Sequence, residues 1–71
     1  MTENIEKIVE SLLLSSSRPL TEAEILKAFN DSDDVHLADV KDALNKLKNF
    51  YSDRSIELVK VANGYRLKVK Q

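Results

Sequence analysis

The chain has 71 residues, a length that allows one small domain over 1–71 and leaves no room for a second core. Folding so short a chain removes only about 60% of its unfolded surface from water, so stability must come from a compact core, a metal, disulfides or association. With no cysteine and a single histidine, disulfides are excluded and the ligand set of a structural zinc site is missing, which leaves an apolar core with or without a partner.

The 42% hydrophobic content is enough for such a core, and 32% charged residues with a net charge of −1 give a mixed, soluble surface. The longest apolar run, Leu12-Leu13-Leu14, is far below the roughly 18 residues of a membrane span, and Glu3, Glu6 and Glu10 contradict a signal peptide. A cytoplasmic location in a reducing compartment is the expectation. The charges are unevenly placed: residues 1–53 hold six Lys/Arg against eleven Asp/Glu, whereas residues 54–71 hold five against the single Glu57. A basic tail on an acidic body can meet nucleic acid or an acidic protein surface, but the acidic balance of the whole argues against the first.

In chain order, Ile5, Ile8, Val9, Leu12 and Leu13 fall on one stripe of a 3.6-residue period and predict a first helix over about 3–14, with Thr2 as N-cap. Ser15-Ser16-Ser17 breaks the pattern, because short hydroxyl side chains compete for backbone partners. Arg18-Pro19-Leu20 then reads as a short extended piece, since proline disfavours a helical residue before it. Thr21-Glu22-Ala23-Glu24 is a capping box and starts a second helix with Ile25, Leu26, Ala28 and Phe29 on its apolar side. That helix must end by the turn-favouring cluster Asn30 to Asp34. A third helix carries Leu37, Val40, Leu44, Leu47 and Tyr51 on a core-facing stripe, with Ala43 and Phe50 at its margins.

After Ser52-Asp53-Arg54-Ser55 the period changes from 3.6 to 2. Asn63-Gly64 predicts a two-residue type I′ turn, because both residues tolerate the positive φ that this turn demands. The register that follows pairs Ala62 with Tyr65, Val61 with Arg66, Lys60 with Leu67, Val59 with Lys68, Leu58 with Val69 and Glu57 with Lys70. Ile56, Leu58, Tyr65, Leu67 and Val69 then form the core face of the hairpin, and Val59 and Val61 lie outward among Arg66 and Lys68. Helix, short strand, helix, helix, hairpin is the order of an α+β winged helix-turn-helix, the hairpin being the wing.

Few residues invite catalysis or metal binding. His36, near the start of the third helix, lacks a nucleophile to serve and reads as a helix-terminal or solvated group. Asp31, Asp33 and Asp34 invite a calcium reading, but the positions that follow place Val35, His36 and Asp42 where an EF-hand loop needs a different pattern, including glycine and a final glutamate. No metal or cofactor is expected, and no small-molecule substrate.

Two surfaces remain. On the outward hairpin face Val59 and Val61, with Arg66 and Lys68 around them, form the expected self-association or partner patch. Alternatively, Lys41, Asn45 and Lys48 of the third helix with Lys60, Arg66 and Lys68 of the wing are the residues a DNA reader would use, although Asp39 and Asp42 would face phosphates unfavourably.

Two stretches carry a family resemblance. Ile8-Val9-Glu10-Ser11-Leu12-Leu13, followed by Arg18-Pro19-Leu20-Thr21 and Ile25-Leu26, is the first; the hairpin from Ile56 to Lys68 is the second. Together they resemble the amino-terminal domain of the segregation and condensation protein B family (ScpB), while the acidic loop from Asn30 to Asp39 departs from its pattern. The resemblance implies a partner of the kleisin and the SMC ATPase in bacterial chromosome condensation, associated with the nucleoid. It further implies two winged-helix domains, of which this chain is the first: that domain mediates self-association, and the second supplies much of the kleisin contact. The expectation is therefore a non-enzymatic homodimerisation and scaffolding module with weak or indirect contact to DNA; the alternative is a DNA-binding winged-helix transcriptional regulator.

Overall fold

The computed structural model describes residues 5–30 and 33–70. Helices α1 (Ile5–Ser15), α2 (Glu22–Leu26) and α3 (Leu37–Phe50) precede the antiparallel strands β1 (Ile56–Val61) and β2 (Gly64–Val69). This is the expected winged-helix order, and the expected short strand is a single bridge between Leu20 and Tyr65. The start of the first helix before Ile5, with its cap at Thr2, lies outside the described residues, as does Asp31.

Helix α1 buries Ile5, Val9 and Leu13, a row spaced by four that meets Val40, Ala43, Leu44 and Leu47 of α3; Ile25 of α2, Tyr51 and Leu58 of β1 complete the core. The buried stripe is narrower than the sequence period predicted. Ile8 and Leu37, expected in the core, are 42% and 41% exposed. Ala43, expected at the margin, is buried beside Ile5, where its small side chain lets α1 and α3 approach.

Local chemistry fixes the ends of the helices. Thr21 Oγ1 accepts from the Glu24 N–H at 3.1 Å and the Glu24 carboxylate accepts from the Thr21 N–H at 2.8 Å, closing the predicted box. At α3 the Asp39 carboxylate accepts from the His36 N–H at 2.9 Å. Past the last turn of α3, Lys70 Nζ donates to the carbonyls of Tyr51 and Ser52 at 3.0 and 2.9 Å, tying the end of β2 to the end of the helix.

The hairpin departs from the predicted register. Ala62 and Asn63 form the turn, and Gly64 opens β2 opposite Val61, where Arg66 was expected. Neither turn residue has positive φ, so the turn is not type I′; among the described residues Asp34 is the only non-glycine residue in that region. Leu58 consequently pairs with Leu67, Ile56 with Val69, Glu57 with Lys68, Val59 with Arg66 and Lys60 with Tyr65. A shift of two residues keeps every side chain on its predicted face, because the strand period is two. Val69, moved to the open end of the hairpin, is 67% exposed instead of buried.

Leu20 accounts for the shift. Its backbone bonds Tyr65 in both directions, and a Cβ on Gly64 would stand 2.3 Å from the Leu20 carbonyl carbon. Gly64 has φ +131° and is needed for this close approach, not for a mirror-image turn.

Candidate functional site

The hairpin presents two faces, and alternation along its strands divides the candidate residues between them. On the outward face Val59 stands opposite Arg66, Glu57 opposite Lys68 and Val61 opposite Gly64. The Lys68 ammonium lies 4.0 Å from the Glu57 carboxylate. Val59 is half-buried and Val61 is 39% exposed, so the predicted patch of Val59, Val61, Arg66 and Lys68 does occupy one surface. Its pairing is corrected: Arg66 flanks Val59, and the absence of a side chain on Gly64 leaves Val61 without a cross-strand cover.

The inward face of the hairpin meets the outward side of α3 in a groove of about 460 Å³. Lys41, Asn45 and Lys48 line one wall, at helical spacings of four and three, and Lys60 and Tyr65 line the other. Leu44 and Leu58 also line it, and Glu22 stands at its edge, accepting from the Tyr65 hydroxyl at 3.0 Å. Burial, then the neighbouring Glu22 carboxylate, holds the Tyr65 phenol above its usual pKa. Lys60 Nζ lies 5.8 Å from the centre of the Tyr65 ring, within reach of a cation–π contact. Among the described residues Lys41, Lys48 and Lys60 join no ion pair, whereas Asp42 is held by Lys46 at 3.2 Å.

The residues considered for DNA contact therefore do not form one surface. Lys41, Asn45, Lys48 and Lys60 converge on the groove, and Arg66 and Lys68 project from the opposite face of the wing. Sequence reasoning missed Glu22 and Tyr65 as parts of the groove. The parity that places Lys60 and Tyr65 on the same strand face was available, but the contact of the Tyr65 hydroxyl with Glu22 of α2 was not.

The other candidate residues have local partners. The exposed His36 imidazole lies 3.7 Å from both the Asp34 and Asp39 carboxylates at the N-terminus of α3. The Asp33 carboxylate accepts from the Asn30 N–H at 2.8 Å. Ser16 Oγ donates to the Arg18 carbonyl at 2.7 Å, which accounts for the serine run as a turn. Among the described residues no three His, Cys, Asp or Glu side chains gather as metal ligands, and no helix is long and apolar enough to cross a membrane.

Comparison with known proteins places this geometry. The family model described as segregation and condensation complex subunit ScpB matches residues 7–71. A segregation and condensation protein B homolog of Coxiella burnetii is 31% identical over 67 residues, which are 94% of this chain and 32% of that protein. The crystal structure of ScpB from Mycobacterium tuberculosis shares the fold with a TM-score of 0.82 at 19% identity, over 99% of this chain and 42% of that one. The chain thus spans about a third of the length of the curated relative it matches.

Proposed function

Because the chain belongs to the family of the segregation and condensation complex subunit ScpB, we propose that it is a non-enzymatic dimerisation and scaffolding module of a bacterial SMC–kleisin complex. It is the first of two winged-helix domains in this reading, and the remaining length of the matched relative accommodates the second. The kleisin and the SMC ATPase are its partners in the assembled complex at the nucleoid, with much of the kleisin contact made by the second domain. DNA contact is weak or indirect.

The observation that carries self-association is the outward hairpin face, where the β-branched Val59 and Val61 lie beside the long stems of Arg66 and Lys68. A two-fold dimer buries the same patch twice, so a small apolar area on each copy suffices. Complete burial of each valine is worth about 1.5–3 kcal/mol before the cost of association is subtracted, which sets a weak affinity for this domain alone. Sedimentation equilibrium over a wide concentration range tests it. A reversible monomer–dimer equilibrium is expected, and a species that stays monomeric at millimolar concentration overturns the reading.

A further inference from the structure

The groove between α3 and the inward hairpin face is not used by the proposed dimer, and its composition is distinctive. Three lysines from two elements point at it, against the one carboxylate of Glu22, which already accepts the Tyr65 hydroxyl. In a chain of net charge −1 this is a local concentration of positive charge with no acidic partner among the described residues. Between the lysines the lining is Asn45, the edges of the core residues Leu44 and Leu58, and the half-buried ring of Tyr65.

We propose that this groove docks an extended acidic segment of a partner protein, with carboxylates held by Lys41, Lys48 and Lys60 and an apolar side chain packed on the half-buried ring of Tyr65. Charge complementarity selects carboxylates, and the Tyr65 ring selects a segment that carries a hydrophobic residue among them. The spacing sets the pattern. Lys41 and Lys48 are seven residues apart on α3, about 10 Å along the axis, which is the reach of three residues of extended chain. The recognised motif is therefore an acidic residue, an apolar one, any residue and a second acidic residue.

A protein segment fits better than duplex DNA. The two wing cations that would lengthen a phosphate-binding row, Arg66 and Lys68, are on the opposite face of the hairpin. Asp39 and Asp42 lie in the N-terminal half of α3, the part that a major-groove reader inserts. A phosphate backbone leaves the half-buried Tyr65 ring, the accessible apolar surface of the groove, without a partner.

Fluorescence anisotropy of a labelled synthetic peptide containing Glu-Leu-Ser-Glu, titrated with the full chain, tests the proposal. Binding is expected to weaken by about tenfold or more in Lys41→Glu with Lys48→Glu, and to survive in Lys41→Arg with Lys48→Arg. Lys7→Glu with Lys27→Glu, outside both the groove and the outward hairpin face, is expected to leave the affinity unchanged. Circular dichroism of each variant establishes that the fold is retained, since all four side chains are exposed. Unchanged affinity in the charge-reversed groove overturns the proposal. So does equal binding of a peptide with the leucine replaced by serine, or a DNA duplex that binds the groove more tightly than the peptide at the same salt. The dimer reading is independent, because its valines lie on the other face.

Discussion

Tyr65 donates its backbone N–H to the Leu20 carbonyl at 2.7 Å, and the Leu20 N–H returns a bond to the Tyr65 carbonyl at 3.0 Å. This pair ties the segment between α1 and α2 to the first residues of β2, and it requires the adjoining Gly64 to have no side chain. Gly64→Ala is expected to destabilise the chain by about 2–4 kcal/mol, from strained positive φ together with overlap against Leu20. For so small a domain that is a large part of the total stability. Urea unfolding followed by circular dichroism measures it; a variant as stable as the parent refutes the close approach.

The cap of α2 responds to acid. A hydrogen bond from Arg18 first, then one from the Thr21 backbone, lowers the Glu24 pKa from 4.5 to about 2. A carboxylate held below its unfolded value contributes stability that is present above the unfolded pKa and is lost as pH falls from there through about 2. Thermal melts between neutral pH and pH 2 are expected to show a shallower acid decline for Glu24→Gln than for the parent. Thr21→Ala is expected to cost about 1 kcal/mol at neutral pH, by loss of the cap itself.

Tyr51 gives the opposite dependence. Its hydroxyl donates to the Glu10 carboxylate and joins the end of α3 to the middle of α1; that bond, then burial, raises the phenol above its ordinary pKa of 10.0. A raised acid is stabilising in its protonated form, so the contribution is complete below pH 10.0 and disappears as pH rises through the folded value. Tyr51→Phe keeps the buried ring and removes the bond, at an expected cost of about 1 kcal/mol near neutrality. The same variant should lose less stability than the parent between pH 9 and 11.5, in denaturant titrations at each pH. An identical alkaline decline in both proteins argues against the bond.

The element order, the capping box of α2 and the division of the hairpin into two faces were legible in the sequence because they rest on local patterns: period, cap chemistry and strand alternation. Asn63-Gly64 shows where that legibility stops. A strong local turn signal was overruled by Leu20, more than forty positions earlier in the chain, whose approach needs glycine at Gly64 and thereby moves the turn back one residue. Ile8 and Ala43 make the same point for the core. Their places on the helical period admit either burial or exposure, and the distance between α1 and α3 decides. The outward valine patch followed from parity alone, whereas the groove needed α2, α3 and both strands of the hairpin brought together.

Duplex DNA is expected to bind weakly, with affinity falling steeply as salt rises and with no preference for sequence, since a few lysines would act through counterion release without reading bases. Anisotropy titrations of unrelated duplexes across a salt series measure this. Tight binding of one duplex at physiological salt, abolished by Lys41→Ala or Asn45→Ala, would instead support the transcriptional-regulator reading.

The placement of self-association can be tested apart from its existence. Val59 and Val61 are two residues apart on one strand face, and the dimer proposed here brings both onto the two-fold axis with Arg66 and Lys68 around them. Helix α1 offers the rival surface, with Ile8 at 42% and Leu14 at 61% exposure. Introducing glutamate on the hairpin would place like charges against each other across the axis and desolvate them, so Val59→Glu with Val61→Glu should abolish the dimer. Ile8→Glu should leave it intact. Sedimentation equilibrium of both variants separates the two surfaces, with circular dichroism to establish that each remains folded. A dimer that survives the double valine change and is lost in Ile8→Glu assigns the interface to α1 and leaves the valines to stabilise the strand through β-propensity alone.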